Sequence, residues 1–312
     1  MNRKFITYCI LFFIPILIGY YLIETVTLNL PSRFKINQSL IKNNKDSFET
    51  LILGSSQMKD AVNPEWLDSP TISLASSSQH HDSDFKLMKT LVPTFKNLKT
   101  VVLEVSYSHF ELPHNGSNFW KNPLYLKYYN VNAFNRSIRL NDRLIYLKNP
   151  SLYSKLILSN YLLKSNKDSL NKKAFYINNY EGVFSRVNYN EAKISTISLF
   201  KINTIEDLRI YKTNKELFFE ILEYLDDKNI QVIICTVPMY KEYLHKRNPS
   251  ILLRRDSVLS MANKKYPSIE FVEKEEDTIN FEVHDFINHN HLNPDGAKKF
   301  TESLNTILNQ NE

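Results

Sequence analysis

The sequence is poor in the features that most often announce a function. It has two cysteines, Cys9 in an apolar N-terminal run and Cys235 in an apolar strand-like stretch. Geometry disfavours a bridge between them, so cysteine usage does not report the redox compartment. The net charge is +6, but no dense Lys/Arg stripe interleaves with aromatic residues. That pattern excludes an ordinary nucleic-acid surface and leaves solubility, or attraction to acidic polymers, as the meaning of the charge. His80, His81, His284 and His289 match no standard zinc spacing, so no metal is expected. No organic cofactor is implied. There is no internal repeat, and no low-complexity tract beyond an Asn/Lys bias.

The chain has 312 residues and 43% hydrophobic content, enough for one large α/β domain or two small ones. It opens MNRKFITYCILFFIPILIGYYLIE, with no charge from Phe5 through Ile23. About 20 apolar residues span a bilayer. No small-residue cleavage site follows the run, which favours an uncleaved signal anchor over residues 1–30. The basic tip would stay in the cytoplasm and the body would be extracytoplasmic, in a periplasm, on a single-pass protein of the inner or plasma membrane. The other reading is a buried core helix. Residues 31–46 are polar and read as a linker.

From residue 47 on, strand and helix signals alternate. FETLILGSSQ is an apolar run into a Gly-Ser-Ser turn, and TISLASSSQ a second short strand closed by serines. LKTVVLEVSYSHF is a largely apolar strand of the kind buried on both faces of a parallel sheet. Residues 113–212, rich in Asn, Tyr, Leu and Lys, break the rhythm and read as a helical insertion or lid. The alternation then returns with a helix over 215–227, a strand at IQVIICTVP, a helix over 252–266, a strand over 268–272 and a closing helix over 295–307. The expected fold is therefore α/β, a parallel sheet with helices on both faces, in residues 47–312. Ligands in such sheets bind at the carboxyl ends of the strands. Gly54-Ser55-Ser56, Ala75-Ser76-Ser77-Ser78, Ser106-Tyr107-Ser108 and His291 all fall on that edge.

A serine at a strand-to-helix turn can attack an acyl carbon, and a histidine on the same rim can take its proton. Ser56 or Ser55 with His291 is such a pair. The alternative roles are Ser56 as the cap of the next helix and His291 as a residue that ties down the last turn. In NHNHLNPDGAKKF, Asn293 fits a helix cap and Pro294 the first helical position. A catalytic histidine usually has a carboxylate to orient it. Asn288 stands three residues before His291, and Asp285 stands six before it. The aromatic residues from Trp120 to Tyr129 fit a sugar platform or, more simply, a core beneath the insertion. Asn115-Gly116-Ser117 and Asn135-Arg136-Ser137 are glycosylation-like patterns of the kind an Asn-rich chain makes by chance.

LILGSSQ followed by an α/β rhythm and HLNPDGAKKF resembles the SGNH/GDSL hydrolase family, above all its membrane-anchored members in bacterial surface-polysaccharide loci. The resemblance covers roughly residues 48–110 and 213–308. It implies a three-layer, flavodoxin-like sheet and a nucleophilic role for Ser56, with Ser55 in place of the family's aspartate. It implies that His291 is the base, with Asn288 where the family has aspartate, and Asp285 as the other candidate orienter. The implied oxyanion donors are Ser56, Ser76 and Ser106, although the family's glycine and asparagine are absent after the second and third strands. The implied activity is a serine acyl esterase or acyltransferase acting on an O-acylated cell-surface polysaccharide, with a membrane-bound O-acyltransferase as partner. The alternative is a catalytically inactive relative that binds glycan or scaffolds that acyltransferase.

Overall fold

The computed structural model describes residues 2–163, 169–197 and 202–310. Five parallel strands form one sheet in the order β2-β1-β3-β4-β5: β1 (Thr50–Leu53), β2 (Thr71–Ser73), β3 (Thr100–Glu104), β4 (Gln231–Thr236) and β5 (Glu270–Glu273). This is the doubly wound order of flavodoxin-like folds, whose chain path reverses between β1 and β3. The registers are in step across the sheet, with Leu51 facing Ile72 and Val101, and Val101 facing Val232. Strand residues of both parities are buried in β1 and β3. Strands buried on both sides belong to a sheet covered on both faces.

Among the described residues, twelve α-helices accompany the sheet. They are α1 (Asn2–Asn29), α2 (Arg33–Asn44), α3 (Ser56–Ala61), α4 (His81–Leu91), α5 (Asn122–Tyr129), α6 (Pro150–Ile157), α7 (Val183–Arg186), α8 (Glu191–Ile194), α9 (Leu208–Asp226), α10 (Lys241–His245), α11 (Pro249–Lys265) and α12 (Pro294–Asn309). A small antiparallel pair, β6 (Phe286–Asn288) and β7 (His291–Leu292), precedes α12. Ile52, Val102, Ile233 and Cys235 turn to one face and form a core with Met58 of α3, Phe286 of β6, and Phe300 and Leu304 of α12. In α12 the buried positions Ala297, Phe300, Thr301, Leu304 and Leu308 recur at three- and four-residue steps, the stripe of a helix lying on a core.

The chain divides into two compact units. One comprises residues 1–35 and 116–167, the other residues 36–115 and 168–312. The expected insertion is thus shared between them, and its residues 164–168 and 198–201 lie outside the described residues. In the first unit α1 has an apolar window of 27 residues, long enough to cross a membrane. Near the end of α1, the buried Glu24 carboxylate accepts the N–H groups of Ile145 (2.7 Å) and Tyr146 (3.0 Å). The aromatics of α5 are core: Tyr125 and Tyr129 pack on Phe34 at 5.6 and 5.5 Å between ring centres. Within the polar segment 31–46, expected to be a linker, the stretch Arg33–Asn44 forms α2. This helix starts after Pro31 and contains no glycine or proline, and its Asn37 is buried with its amide donating to Ser73 O (2.8 Å).

Candidate active site

The site is built where β1 ends and the chain reverses. Gly54 carries φ +142°, and a Cβ there would lie 2.7 Å from both Cβ and Oε2 of Glu104. Glycine is therefore required by the close approach of β3 as well as by the turn. Ser55 is the N-cap of α3, its Oγ accepting the Gln57 N–H at 3.2 Å. The capping role belongs to Ser55, which frees Ser56, the first helical residue, for another task. A first-turn N–H has no acceptor within its own helix, which makes the Ser56 N–H a candidate donor at this turn.

Ser56 Oγ lies 2.8 Å from His291 Nε2. The β6–β7 hairpin sets that distance by pairing Asn288 with His291 and aiming the ring back at α3. On the far side of the ring, Nδ1 meets two amide oxygens, Asn290 Oδ1 at 2.9 Å and Asn288 Oδ1 at 3.1 Å. The Asn290 backbone N–H donates to that same Asn288 oxygen at 3.0 Å. This fixes which end of the amide faces the ring, because an NH2 group there would meet another donor. Two acceptors at Nδ1 require Nδ1 to carry the proton. Nε2 is then the acceptor, and the Ser56 hydroxyl donates to it. Burial holds the His291 pKa below the usual histidine value, while the Asp60 carboxylate pushes it up and the Lys59 ammonium pushes it down. A neutral imidazole of this tautomer has the protonation state a general base needs.

Asp285 does not take the orienting place. Its Oδ2 accepts from Glu282 N–H (2.8 Å) and from Lys299 Nζ (2.7 Å), and its backbone oxygen accepts from Asn293 N–H. Asn293 caps α12 as expected, accepting from the N–H groups of Asp295 and Gly296. The carboxylate nearest in effect to His291 is Asp60, which lies one helical turn from Ser56 on α3 and pairs with Lys59 at 2.8 Å.

The expected oxyanion donors divide. The Ser76 N–H donates to Gly54 O at 3.0 Å, and the Ser106 N–H donates to His109 Nδ1 at 3.1 Å. Both backbone donors are committed within the fold, which leaves Ser56 N–H of the three. Glu104 is the residue that sequence reasoning missed. Its buried carboxylate accepts Ser55 N–H (2.6 Å), Ser55 O–H (2.8 Å) and Met58 N–H (3.3 Å), so an internal anion already fills much of the N-terminal end of α3. Burial pushes the Glu104 carboxyl up, and hydrogen bonds from Ser55, Met58 and Ser106 pull it back. The signal was a single acid ending an otherwise apolar strand at the ligand-binding edge.

Of the other histidines, His80 and His81 gather with His109, while His284 and His289 have other partners. His81 Nε2 donates to Glu104 O (3.0 Å), and the ring stacks on His109, with ring centres 4.3 Å apart. His284 stacks on Tyr189, and His289 is a core residue set edge-on to Phe184. Residues 169–197 lie against the elements that carry the pair. Lys59 Nζ sits 5.7 Å from the Tyr176 ring centre, the Tyr180 hydroxyl donates to Asp295 (2.9 Å), and Gly182 packs directly on the backbone of Ile287.

No protein-family model matches this chain, and no curated protein matches it. Among solved structures, a candidate acylhydrolase of Bacteroides fragilis aligns over 91% of this chain and 93% of its own, with a TM-score of 0.40 and 9% identity. At that level the likeness transfers no residue role.

Proposed function

We propose that the protein is a membrane-anchored serine acyl-transfer enzyme, an esterase or acyltransferase, working on an O-acylated cell-surface polysaccharide. The observation that carries the acyl-transfer reading is the 2.8 Å contact between Ser56 Oγ and His291 Nε2, with the proton placed on Nδ1 by two amide oxygens. In the first step Ser56 Oγ bonds to the acyl carbonyl carbon and its proton passes to Nε2. The carbonyl oxygen gains the negative charge and is met by Ser56 N–H at the helix N-terminus. Collapse of this intermediate breaks the bond to the sugar oxygen, which leaves with the proton from Nε2. Water, or an acceptor hydroxyl, then attacks the acyl-serine by the same steps in reverse. The apolar α1 supports placement at a membrane. The glycan substrate, the extracytoplasmic side and an acyltransferase partner rest on the resemblance of LILGSSQ and HLNPDGAKKF described above.

A second reading has its own observation. With the Ser76 and Ser106 N–H groups committed and Glu104 seated under the turn, the oxyanion site is thin. A protein of this design can hold an acylated glycan, or scaffold the acyltransferase, without turnover. Fluorophosphonate labelling and p-nitrophenyl acetate hydrolysis by the full-length protein in detergent separate the two. Labelling of wild type and not of Ser56→Ala supports the enzyme. A folded wild type that neither labels nor hydrolyses sinks it and favours the scaffold.

A further inference from the structure

We infer that the segments on either side of α6, from Ile138 to Leu147 and from Leu158 to Leu163, dock on the surface of a lipid bilayer beside α1, so that the first unit is held to the membrane by an interfacial patch as well as by a span. The inference rests on the reading of α1 as a membrane span.

Seven large hydrophobic residues between Ile138 and Leu163 are exposed, among them Leu140 at 93%, Leu162 at 73% and Leu163 at 63%. A protein surface facing only water rarely concentrates such residues in one short stretch. They belong to the same compact unit as α1, and α6 and the turn Tyr146–Lys148 pack against α1 directly.

The depth of the patch follows from Glu24. The uncharged run from Phe5 to Ile23 rises about 28 Å at ~1.5 Å per residue, close to the ~30 Å hydrocarbon thickness. Glu24 is the first charge after it and so marks the boundary. It accepts the N–H groups of Ile145 and Tyr146, which sets the neighbouring Leu147 at that level. Tyr20 donates to Glu24 at 3.2 Å, a tyrosine hydroxyl at the height where aromatic belts lie.

The charge pattern fits the same occupant. Residues 136–163 carry Arg136, Arg139, Arg143, Lys148 and Lys155 against a single acid, Asp142. Asp142 is buried and holds Arg136 through both guanidinium nitrogens, at 2.6 and 2.8 Å. Arg139, Arg143 and Lys155 are exposed beside the apolar residues. Apolar side chains with basic neighbours are the composition of an interfacial segment on anionic lipid.

The test uses the full chain with Cys9→Ser, the remaining Cys235 being buried. Single cysteines at Leu162, at Phe12 in α1 and at Leu253 in the other unit each carry an environment-sensitive dye. The proteins are reconstituted in phosphatidylcholine–phosphatidylglycerol vesicles with and without nitroxide lipids. The expected result is blue-shifted emission and nitroxide quenching at 162 and 12, with water-like, unquenched emission at 253. Quenching at 12 with water-like emission at 162 overturns the docking and leaves the span standing. A dye at 162 that is blue-shifted but unquenched reports cover by protein, a second copy or another membrane protein, and also overturns it. No quenching at 12 removes the span and the docking together.

Discussion

The backbone N–H of Asn290 donates to the side-chain oxygen of Asn288 at 3.0 Å. That one bond decides the protonation of a histidine it does not touch. It orients the Asn288 amide, the amide oxygen requires a proton on His291 Nδ1, and Nε2 is left to accept from Ser56. An asparagine in the place of a carboxylate often holds the wrong tautomer. Here the neighbouring N–H enforces the right one. What the amides do not supply is the negative charge that stabilises an imidazolium.

Replacing that charge is the first prediction. Asn288→Asp retains the acceptor for Asn290 N–H and adds a carboxylate at Nδ1. Esterase turnover should rise, by up to about four orders of magnitude if the full effect seen in triads applies. Steady-state kinetics with p-nitrophenyl acetate measure it, and an unchanged rate would show that imidazolium stabilisation is not limiting.

His291→Ala removes the base and should lower turnover by about 10²- to 10⁴-fold. Asp285→Asn, by contrast, should leave kcat/KM within a few-fold, since that carboxylate serves Glu282 and Lys299. A loss in Asp285→Asn equal to that in His291→Ala would contradict the geometry.

The charges on α3 set the acid limb of the rate profile. Burial lowers the His291 pKa, so activity should persist below the usual histidine range near pH 6.5. Asp60 raises that pKa and Lys59 lowers it. Asp60→Asn should move the acid limb of kcat/KM to lower pH, and Lys59→Met should move it to higher pH. Fluorophosphonate labelling rates against pH give the same limb independently of turnover, and coincident limbs in both variants would refute the assignment.

Gly54→Ala places a methyl group 2.7 Å from Glu104 Cβ in a backbone conformation that disfavours side chains. It should cost about 1–3 kcal/mol and displace the Ser56 turn. Denaturant melts and loss of fluorophosphonate labelling report the two effects.

Stability should fall with acid through the buried histidines. Burial pushes the His81 pKa down from 6.5 to about 4. The unfolded chain therefore takes up the proton first as pH drops. The stabilisation is complete above pH ~6.5 and is lost progressively between there and pH ~4, on the order of 3 kcal/mol for this residue. His81→Gln should flatten that slope in urea melts run across the window.

The sheet and its order of elements were legible because their signals are local. Apolar runs such as LILGS and IQVIICTVP end in turns, and the closing helix carries a cap at Asn293 and a periodic stripe. Ser56 and His291 could be paired from their places on one rim. The orienting contacts could not. Asn290 reaches Nδ1 only because the hairpin turns at His289, and Asp60 acts on His291 only because α3 packs against β7. Glu104 could be seen as a lone acid in a strand, yet its three bonds into the Ser55 turn depend on the absence of a Cβ at Gly54. The polar stretch after α1 reads as a linker by composition, and its buried Asn37, bonded to Ser73 O, shows that it packs on β2.

Glu24 ties the N-terminal helix into the fold of the first unit. Its carboxylate terminates two main-chain amides more than a hundred residues downstream in sequence. Removal of the chain up to this point would strand both amides and take from Phe34 the helix that leads into it. The apolar helix is thus a structural member of the first unit, and its deletion should destabilise residues 116–163.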